Sequence, residues 1–560
     1  MIKNEFQNID IRMLNQLRYF YEQSKGFRLK IILSLMLGVL SIVFGLLFIY
    51  VSKCIVDIAT GKMDADLWTF VGILAFMLFM RLALHGANIW LNGRVNQGLV
   101  NAMRSRLFDD VLNSPWHGRE DRKSGDVMSR IGEDLRVVVE CITRDIPDVF
   151  LATFQLLAAS WFLFSLQPRL LWIVLVIVPV AIVLTKVYYK TMRRLTKQIR
   201  REEADIQSHI QESVENRPLL LSLRRTGLMI ERLVEKQDHL FRTFSRRLRF
   251  SISTRLLISS GFMIGYYTAF VWSAYGIMIG TVTYGMMTAL LQLVGQVQGP
   301  ILNLSSLFPA IVRATTAGER LKELKNPDPT YFINRAKQEH PTKGTIMGLK
   351  LQNVSYRYPD GDHDVLHDYT CTFEPASSTA IIGPTGSGKS TLVRILLGLL
   401  RPTSGTVRLV DKDGNTLPLE EDAYAISYVP QGNSLLSGTI RDNLQLGKLD
   451  ATDEEMRDAL SRASALFVYE LPRGLDTLCG EKGSGLSEGQ AQRIAIARAL
   501  LQPGSILIMD EASSALDPNT ERQILEELQQ QELHKTLIWV THHMVVRDYM
   551  QHCIVVDEEA

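Results

Sequence analysis

Gly383-Pro384-Thr385-Gly386-Ser387-Gly388-Lys389-Ser390-Thr391 is the stretch on which the fold turns. A short apolar run, Thr379-Ala380-Ile381-Ile382, precedes it, and Leu392-Val393-Arg394-Ile395-Leu396-Leu397 follows with helical spacing. Strand, glycine-rich loop and helix in that order, with Gly383, four residues, then Gly388-Lys389-Ser390, give the spacing of a phosphate-binding loop. Glycines let backbone N–H groups curl around phosphate oxygens, and the helix N-terminus adds a positive dipole end. Lys389 is long enough to reach a β- or γ-phosphate, and the Ser390 hydroxyl suits a Mg²⁺ ion. A chance glycine-rich turn would have the same letters, so the residues downstream must decide.

They come in a fixed order. Val429-Pro430-Gln431 ends a strand on an amide able to reach a metal or a water, although glutamine after a strand is usually plain surface. Leu486-Ser487-Glu488-Gly489-Gln490 opens a helix over Ala491–Leu501. Serine ahead of a helix serves as an N-cap or as part of an anion-receptive terminus, and the plain cap is the commoner use. Ile506-Leu507-Ile508-Met509 reads as a buried strand ending in Asp510-Glu511. Two carboxylates there suit a metal ligand (Asp510) and a general base for water (Glu511). Ser514-Ala515-Leu516-Asp517 follows, and the strand Thr536–Val540 ends in Thr541-His542-His543. A histidine at a strand's C-terminal edge is well placed for a γ-phosphate, though a lone one is more often ordinary. Upstream, Gly348–Tyr358 alternates as a strand before the turn Pro359-Asp360-Gly361.

At 560 residues the chain holds more than one domain. Apolar residues make up 46% of it, unevenly placed. Six stretches have about the length of a bilayer crossing: Ile31–Val51, Leu67–Leu91, Ile146–Leu166, Leu170–Lys186, Leu256–Gly280 and Met286–Val312. Beyond them Asn326-Pro327-Asp328-Pro329 and the polar run Arg335–Gly344 break the pattern, which puts the boundary near Pro329 to Thr345. The expected architecture is a membrane α-helical domain of six spans over 1–330, then an α/β P-loop domain over 345–560. A net charge of +2 gives no reason to expect nucleic acid. The five cysteines, Cys54, Cys141, Cys371, Cys479 and Cys553, lack ligand spacing and read as free thiols. No cleavable signal peptide is expected, because the first apolar run begins only after a polar, charged stretch.

Lys and Arg set the orientation. They collect before the first span (Arg12, Arg18, Lys25, Arg28, Lys30), after the second, and most densely after the fourth (Lys190, Arg193, Arg194, Lys197, Arg200, Arg201). The long connections and both termini are therefore expected in the cytoplasm. Leu195, Ile199, Ile206, Ile210 and Val214 keep helical spacing, so the spans should continue as helices past the bilayer. Polar residues at membrane depth are Arg81, His85, Asn88, Gln155, Gln292, Gln296 and Asn303. Gln292 and Gln296 share a helix face and either line a substrate path or bond between helices.

This colinear set (P-loop, Gln431, LSEGQ, strand with Asp510-Glu511, SALD, strand-end His542) after six spans resembles an exporter-type ATP-binding cassette half-transporter. The resemblance covers nearly the whole chain. Ser124-Gly125-Asp126-Val127-Met128-Ser129-Arg130 is similar to the family's first cytoplasmic loop. It implies ATP and Mg²⁺ as cofactors, with Gly383, Pro384, Thr385, Gly386, Ser387, Gly388, Lys389, Ser390 and Thr391 as the Walker A loop. Tyr358 matches the aromatic that stacks on adenine, with Tyr356 the runner-up. Gln431 is the Q-loop residue on Mg²⁺, alongside Ser390 and the Walker B residue Asp510. Glu511 is the catalytic base and His542 the switch histidine. Ser487, Gly489 and Gln490 are the signature residues that close on a partner's ATP, and Asp517 belongs to the D-loop. Thr439–Asn443 and Gly480–Gly483 sit where the family couples its domains. One departure is Glu488, where the signature usually has glycine; a carboxylate turned inward there would repel nucleotide.

The composite site implies a second half-transporter as partner, identical or different, with membrane lipid around the spans. The expected function is ATP-driven export of a small molecule, lipid or peptide, with few membrane charges favouring amphipathic cargo. The alternatives are an importer on an exporter fold, or an ATP-gated channel or regulatory membrane ATPase. The expected location is a bacterial inner or plasma membrane. No protease-like domain is expected ahead of the first span.

Overall fold

The computed structural model describes residues 16–113, 124–324, 342, 344–358, 361–384, 386–480, 485–531, 535–542 and 544–556. Side chains within 169–190 and at a few other positions also lie outside the description. The chain divides into two compact units, residues 1–108 with 124–324, and 109–123 with 325–560. Most of the expected boundary region, with Thr385, His543 and the 481–484 segment, lies outside the described residues.

The first unit is helical. It contains α1 (Arg28–Ala59), α2 (Leu67–Leu112), α3 (Ser124–Ser129), α4 (Leu135–Glu140), α5 (Ile146–Leu166), α6 (Pro168–Glu215), α7 (Arg217–Ser222), α8 (Thr226–Met278) and α9 (Tyr284–Lys322). Two π-helical turns, Arg130–Asp134 and Cys141–Asp145, join α3, α4 and α5. A helix thus lies on each of the six apolar stretches. At about 1.5 Å per residue a bilayer core takes some 20 residues. The 46 residues of α2, 48 of α6 and 53 of α8 therefore overrun it widely. Among the described residues, Arg28–Ala59, Leu67–Leu112, Gly125–Leu166 and Thr226–Met278 are long and apolar enough to cross a membrane. Of the remaining long helices, α9 interrupts its apolar run with Gln292, Gln296 and Gln298, and the apolar half of α6 falls within 169–190, whose side chains lie outside the description. The fifth stretch ends as helix at Met278, because Gly280 turns the chain at φ +75°.

Apolar side chains from several spans meet in one seam, including Ile49, Ala159, Leu163, Ala269, Leu290, Leu293 and Val297. Gln155 Nε2 donates to Gln296 Oε1 across this seam at 2.5 Å, so Gln296 is spent on an inter-helix bond, while Gln292 is exposed. Asn88, on α2, accepts from the buried Ser34 of α1 at 2.6 Å. At the other end of α1, buried Asp57 pairs with Lys53 at 3.2 Å and accepts from the Gly285 N–H at 3.1 Å, capping the start of α9. Gly285 is required by this approach: a Cβ there would lie 2.3 Å from the Lys53 carbonyl oxygen.

The Ser124–Arg130 motif forms the start of a broken helix held by charge. Arg130 pairs with Asp126 at 2.8 Å and Glu323 at 2.7 Å and donates to the Arg320 carbonyl at 2.9 Å. Arg320 in turn meets Asp134 at 3.2 Å. Two acids would face each other without their best cation if Arg130 were removed. Because Glu323 is 63% exposed, the loss is discounted from the buried-pair range. Arg130→Ala is expected to cost about 1–2 kcal/mol, read as a lowered thermal midpoint of the protein in lipid, with Arg130→Lys recovering part of it.

The second unit contains two main sheets. One is antiparallel, in the order β2 (Leu366–Phe373), β1 (Gly348–Tyr356), β4 (Ser404–Val410), β5 (Thr416–Pro418). The other is parallel, in the order β11 (His552–Val555), β3 (Ser378–Ile382), β10 (Thr536–Val540), β9 (Ile506–Asp510), β6 (Ile426–Val429). Every residue of β9 and β10 is buried, as continuous apolar runs in a covered parallel sheet should be. One core cluster contains Leu392, Ile395, Ile508 and Ile538; another contains Ala491, Ile494, Met509 and Trp539. They hold α10 (Lys389–Leu396) and α13 (Glu488–Leu501), respectively.

Candidate functional site

Parallel register brings the carboxyl ends of β3, β10, β9 and β6 to one edge of the sheet, where open α/β sheets bind ligands. The glycine-rich loop leaves β3 there, Gln431 follows β6, Asp510-Glu511 ends β9, and His542 follows β10.

The loop is built for close approach by backbone. Gly386 and Gly388 take φ of +95° and +92°, conformations that a side chain would strain. Lys389 is buried, and its Nζ donates to the carbonyls of Gly383 and Pro384 at 2.7 Å each, closing the loop into a ring. The Ser387 hydroxyl is buried with no hydrogen-bond partner among the described residues. A buried donor left over inside a ring of amides fits an anionic oxygen. Ser390 is exposed at the start of α10. Thr391 is buried, with its hydroxyl 3.0 Å from that of Tyr358.

At the end of β9 the two carboxylates part. Asp510 is buried, and Tyr428 donates to its Oδ2 at 3.3 Å. Burial, and after it the charge of Glu511, pushes the Asp510 carboxyl above the ordinary carboxylate range. Such a group gains from a nearby cation, so the donor set of Ser390, Asp510 and Gln431 fits Mg²⁺. Glu511 takes φ +46°, a left-handed conformation that costs about 1–3 kcal/mol in a non-glycine residue. Its N–H donates to Val540 O at 2.9 Å and its carbonyl accepts from Ser514 at 3.2 Å, which together fix the strained turn. Gln431 Nε2 donates to Glu511 Oε2 at 2.5 Å, and His542 Nδ1 lies 3.7 Å from Oε1. Two predicted residues, following β6 and β10, therefore meet the carboxylate of a third at the end of β9.

The signature residues have their own arrangement. Ser487 caps α13 in a capping box: its Oγ accepts from Gln490 N at 3.2 Å, and Gln490 Oε1 accepts from Ser487 N at 2.9 Å. Glu488 is exposed in the first turn, where a carboxylate favours the helix dipole. Gly489 approaches the SALD backbone, since a Cβ would lie 2.7 Å from Ala515 O. Gly489→Ala must displace that loop, and the expected result is an ATPase rate lowered about tenfold to a hundredfold with an unchanged elution profile. Asp517 caps α14 (Pro518–Gln531), accepting from Asn519 N and Thr520 N at 3.1 Å each.

Three residues escaped the sequence reading. Tyr428 holds Asp510. Gln492, fully buried, clamps α13 to the SALD loop through Ser514 Oγ and Ala515 N, both at 3.2 Å. Arg394 holds Tyr358. The only signal was a polar residue on a buried face of an apolar element. Tyr356 lies in the core and meets Tyr358 edge-on at 5.0 Å, which leaves Tyr358 as the half-buried aromatic of the pair.

Residues 31–301 match the model of the ABC transporter transmembrane region, and residues 366–514 match the ABC transporter model. The chain is 26% identical over 530 residues to YgaD of Bacillus subtilis, an ATP-binding/permease protein named for multidrug export, covering 93% of this chain and 91% of that one. It is 29% identical over 489 residues to the mitochondrial ATP-binding cassette sub-family B member 10 of Mus musculus, covering 84% and 67%. Its fold matches the structure of a bacterial Atm1-family ABC exporter with ATP bound at TM-score 0.76, with 21% identity, 95% of this chain and 94% of the other. With a transmembrane region and an ATP-binding domain in one polypeptide, the chain belongs to the ABC transporter family, whose members couple ATP to transport across a membrane.

Proposed function

We propose that the protein exports an amphipathic or lipid-like molecule as a dimer of half-transporters, with ATP held between the P-loop of one chain and the signature helix of the other. The observation that carries the hydrolytic part is the cluster of Gln431, Glu511 and His542 at one sheet edge beside the P-loop. In this reading Tyr358 stacks on the base, and the Walker loop from Gly383 to Thr391 holds the phosphates. Ser390, Asp510 and Gln431 hold Mg²⁺, which supplies neutralising charge on the phosphates when bound. Glu511 accepts the proton of the attacking water, and Gln431 and His542 orient that carboxylate and the terminal phosphate. Ser487 and Gly489 present the terminus of α13 to nucleotide on the partner chain, with Asp517 and Gln490 fixing the loop and helix start around them.

The cargo class rests on surface chemistry. Phe79, Leu82, Trp90 and Trp161 are exposed along α2 and α5, and such large apolar surfaces suit lipid, a second chain or an amphipathic solute. The reading places both termini and the ATP-binding unit in the cytoplasm, following the Lys and Arg pattern. Uptake of fluorescent amphipathic lipids into inside-out vesicles tests it. ATP-dependent accumulation lost in Glu511→Gln supports export, whereas ATP-dependent depletion means the opposite direction, and ion conductance without accumulation means a channel.

A further inference from the structure

Arg394 lies one turn beyond Thr391 on α10, half-buried, and its position shares a helix face with Thr391. Its Nη1 donates to the Tyr358 hydroxyl at 3.2 Å. That hydroxyl is also 3.0 Å from Thr391 Oγ1, and the Tyr356 ring meets the Tyr358 ring edge-on at 88°. The tip of the Tyr358 ring is therefore tied to the P-loop helix while Tyr356 flanks the ring. Stacking on a base uses only the face of a ring, and a phenyl would serve as well. The hydroxyl adds something else, a fixed orientation.

We propose that Arg394 is a positioning residue for nucleotide: through the Tyr358 hydroxyl it locks the ring that receives the base before ATP arrives. The inference rests on the reading of Tyr358 as the base-stacking aromatic. A loose tyrosine at the end of a strand must be ordered on binding, at about 0.5–1.5 kcal/mol for one side chain. A tether made beforehand removes that cost. Arginine suits the task because its guanidinium stays charged and can bond one partner while its charge acts on another.

The test uses the full-length protein in lipid nanodiscs, carrying Glu511→Gln to stop turnover, titrated with a fluorescent ATP analogue in EDTA. Arg394→Gln and Tyr358→Phe are each expected to weaken binding about three- to tenfold, the factor for ordering one side chain. The double variant should be no weaker than Tyr358→Phe alone, because without the hydroxyl Arg394 has nothing left to hold. Arg394→Lys should recover part of the loss. In the chain with Glu511 intact, KM for ATP should rise by the same factor while kcat falls less. Unchanged binding in Tyr358→Phe overturns the proposal, and so do losses that multiply in the double variant. Tyr358→Phe decides the matter even if Arg394→Gln fails to fold. Tyr358→Ala separates the two layers: if it binds as well as wild type, the stacking reading itself fails, whereas strong weakening there with none in Tyr358→Phe removes only the tether.

Discussion

Glu511→Gln is expected to lower ATP hydrolysis about 10²–10³-fold and to leave ATP binding intact. The substitution keeps the size of the side chain and its hydrogen-bonding reach but removes its ability to take a proton. Nothing in the loop that grips phosphate changes, because Lys389 and its two carbonyl partners do not involve Glu511. The strained backbone at residue 511 is also retained, since glutamine has the same steric demands at φ +46°. One local contact constrains the variant: Gln431 Nε2 donates to Glu511 Oε2, and to keep that bond the amide of residue 511 must turn its oxygen toward the same donor. ATPase rate and nucleotide affinity, measured on the same lipid-reconstituted sample, separate the two effects. A rate near wild type would remove Glu511 from the role of base. Equal loss of rate and affinity would make the residue structural.

How much of this could be read from the chain differs by layer. The parallel sheet was legible, because Ile506–Met509 and Thr536–Val540 are unbroken apolar runs and only a covered strand tolerates that pattern. The P-loop was legible from glycine spacing, and the positive φ at Gly386 and Gly388 is the physical content of that spacing. A serine ahead of a helix is more often a cap than a ligand, and in the single chain Ser487 is a cap. The supporting polar residues were not legible. Tyr428 within Ile426–Val429, Arg394 in an apolar helix and Gln492 after Ala491 each look like surface until a partner from a distant segment is placed against them. Both π-helical turns were hidden for a related reason: one extra residue per turn leaves no mark on composition, and only the observed backbone bonds reveal it. Between Gln292 and Gln296 the sequence offered no choice, since their spacing is the same for either use. Gln155, 141 positions away from Gln296, settles that residue alone.

Lys389→Met should abolish measurable ATP binding at micromolar nucleotide, a loss of about a hundredfold or more in affinity. In the single chain the ammonium lies buried against the carbonyl oxygens of Gly383 and Pro384, so the loop is closed by its own lysine before any phosphate enters. Methionine fills the same volume without donors, which leaves those two carbonyls without their charged partner and the site without its cation. The first loss relaxes the ring of amides; the second removes an attraction that a water-poor pocket makes strong. Each hydrogen bond from a charged group contributes about 1.5–3 kcal/mol, so losing two such contacts to phosphate accounts for a hundredfold effect or more. Lys389→Arg distinguishes the two contributions, because it restores positive charge but its larger planar group cannot occupy the same two-carbonyl nest. If arginine recovers most of the affinity, charge at the phosphates dominates; if it binds as poorly as methionine, the compact ammonium that closes the loop is the requirement. Binding near wild type in Lys389→Met would mean that the ring of backbone amides holds nucleotide unaided.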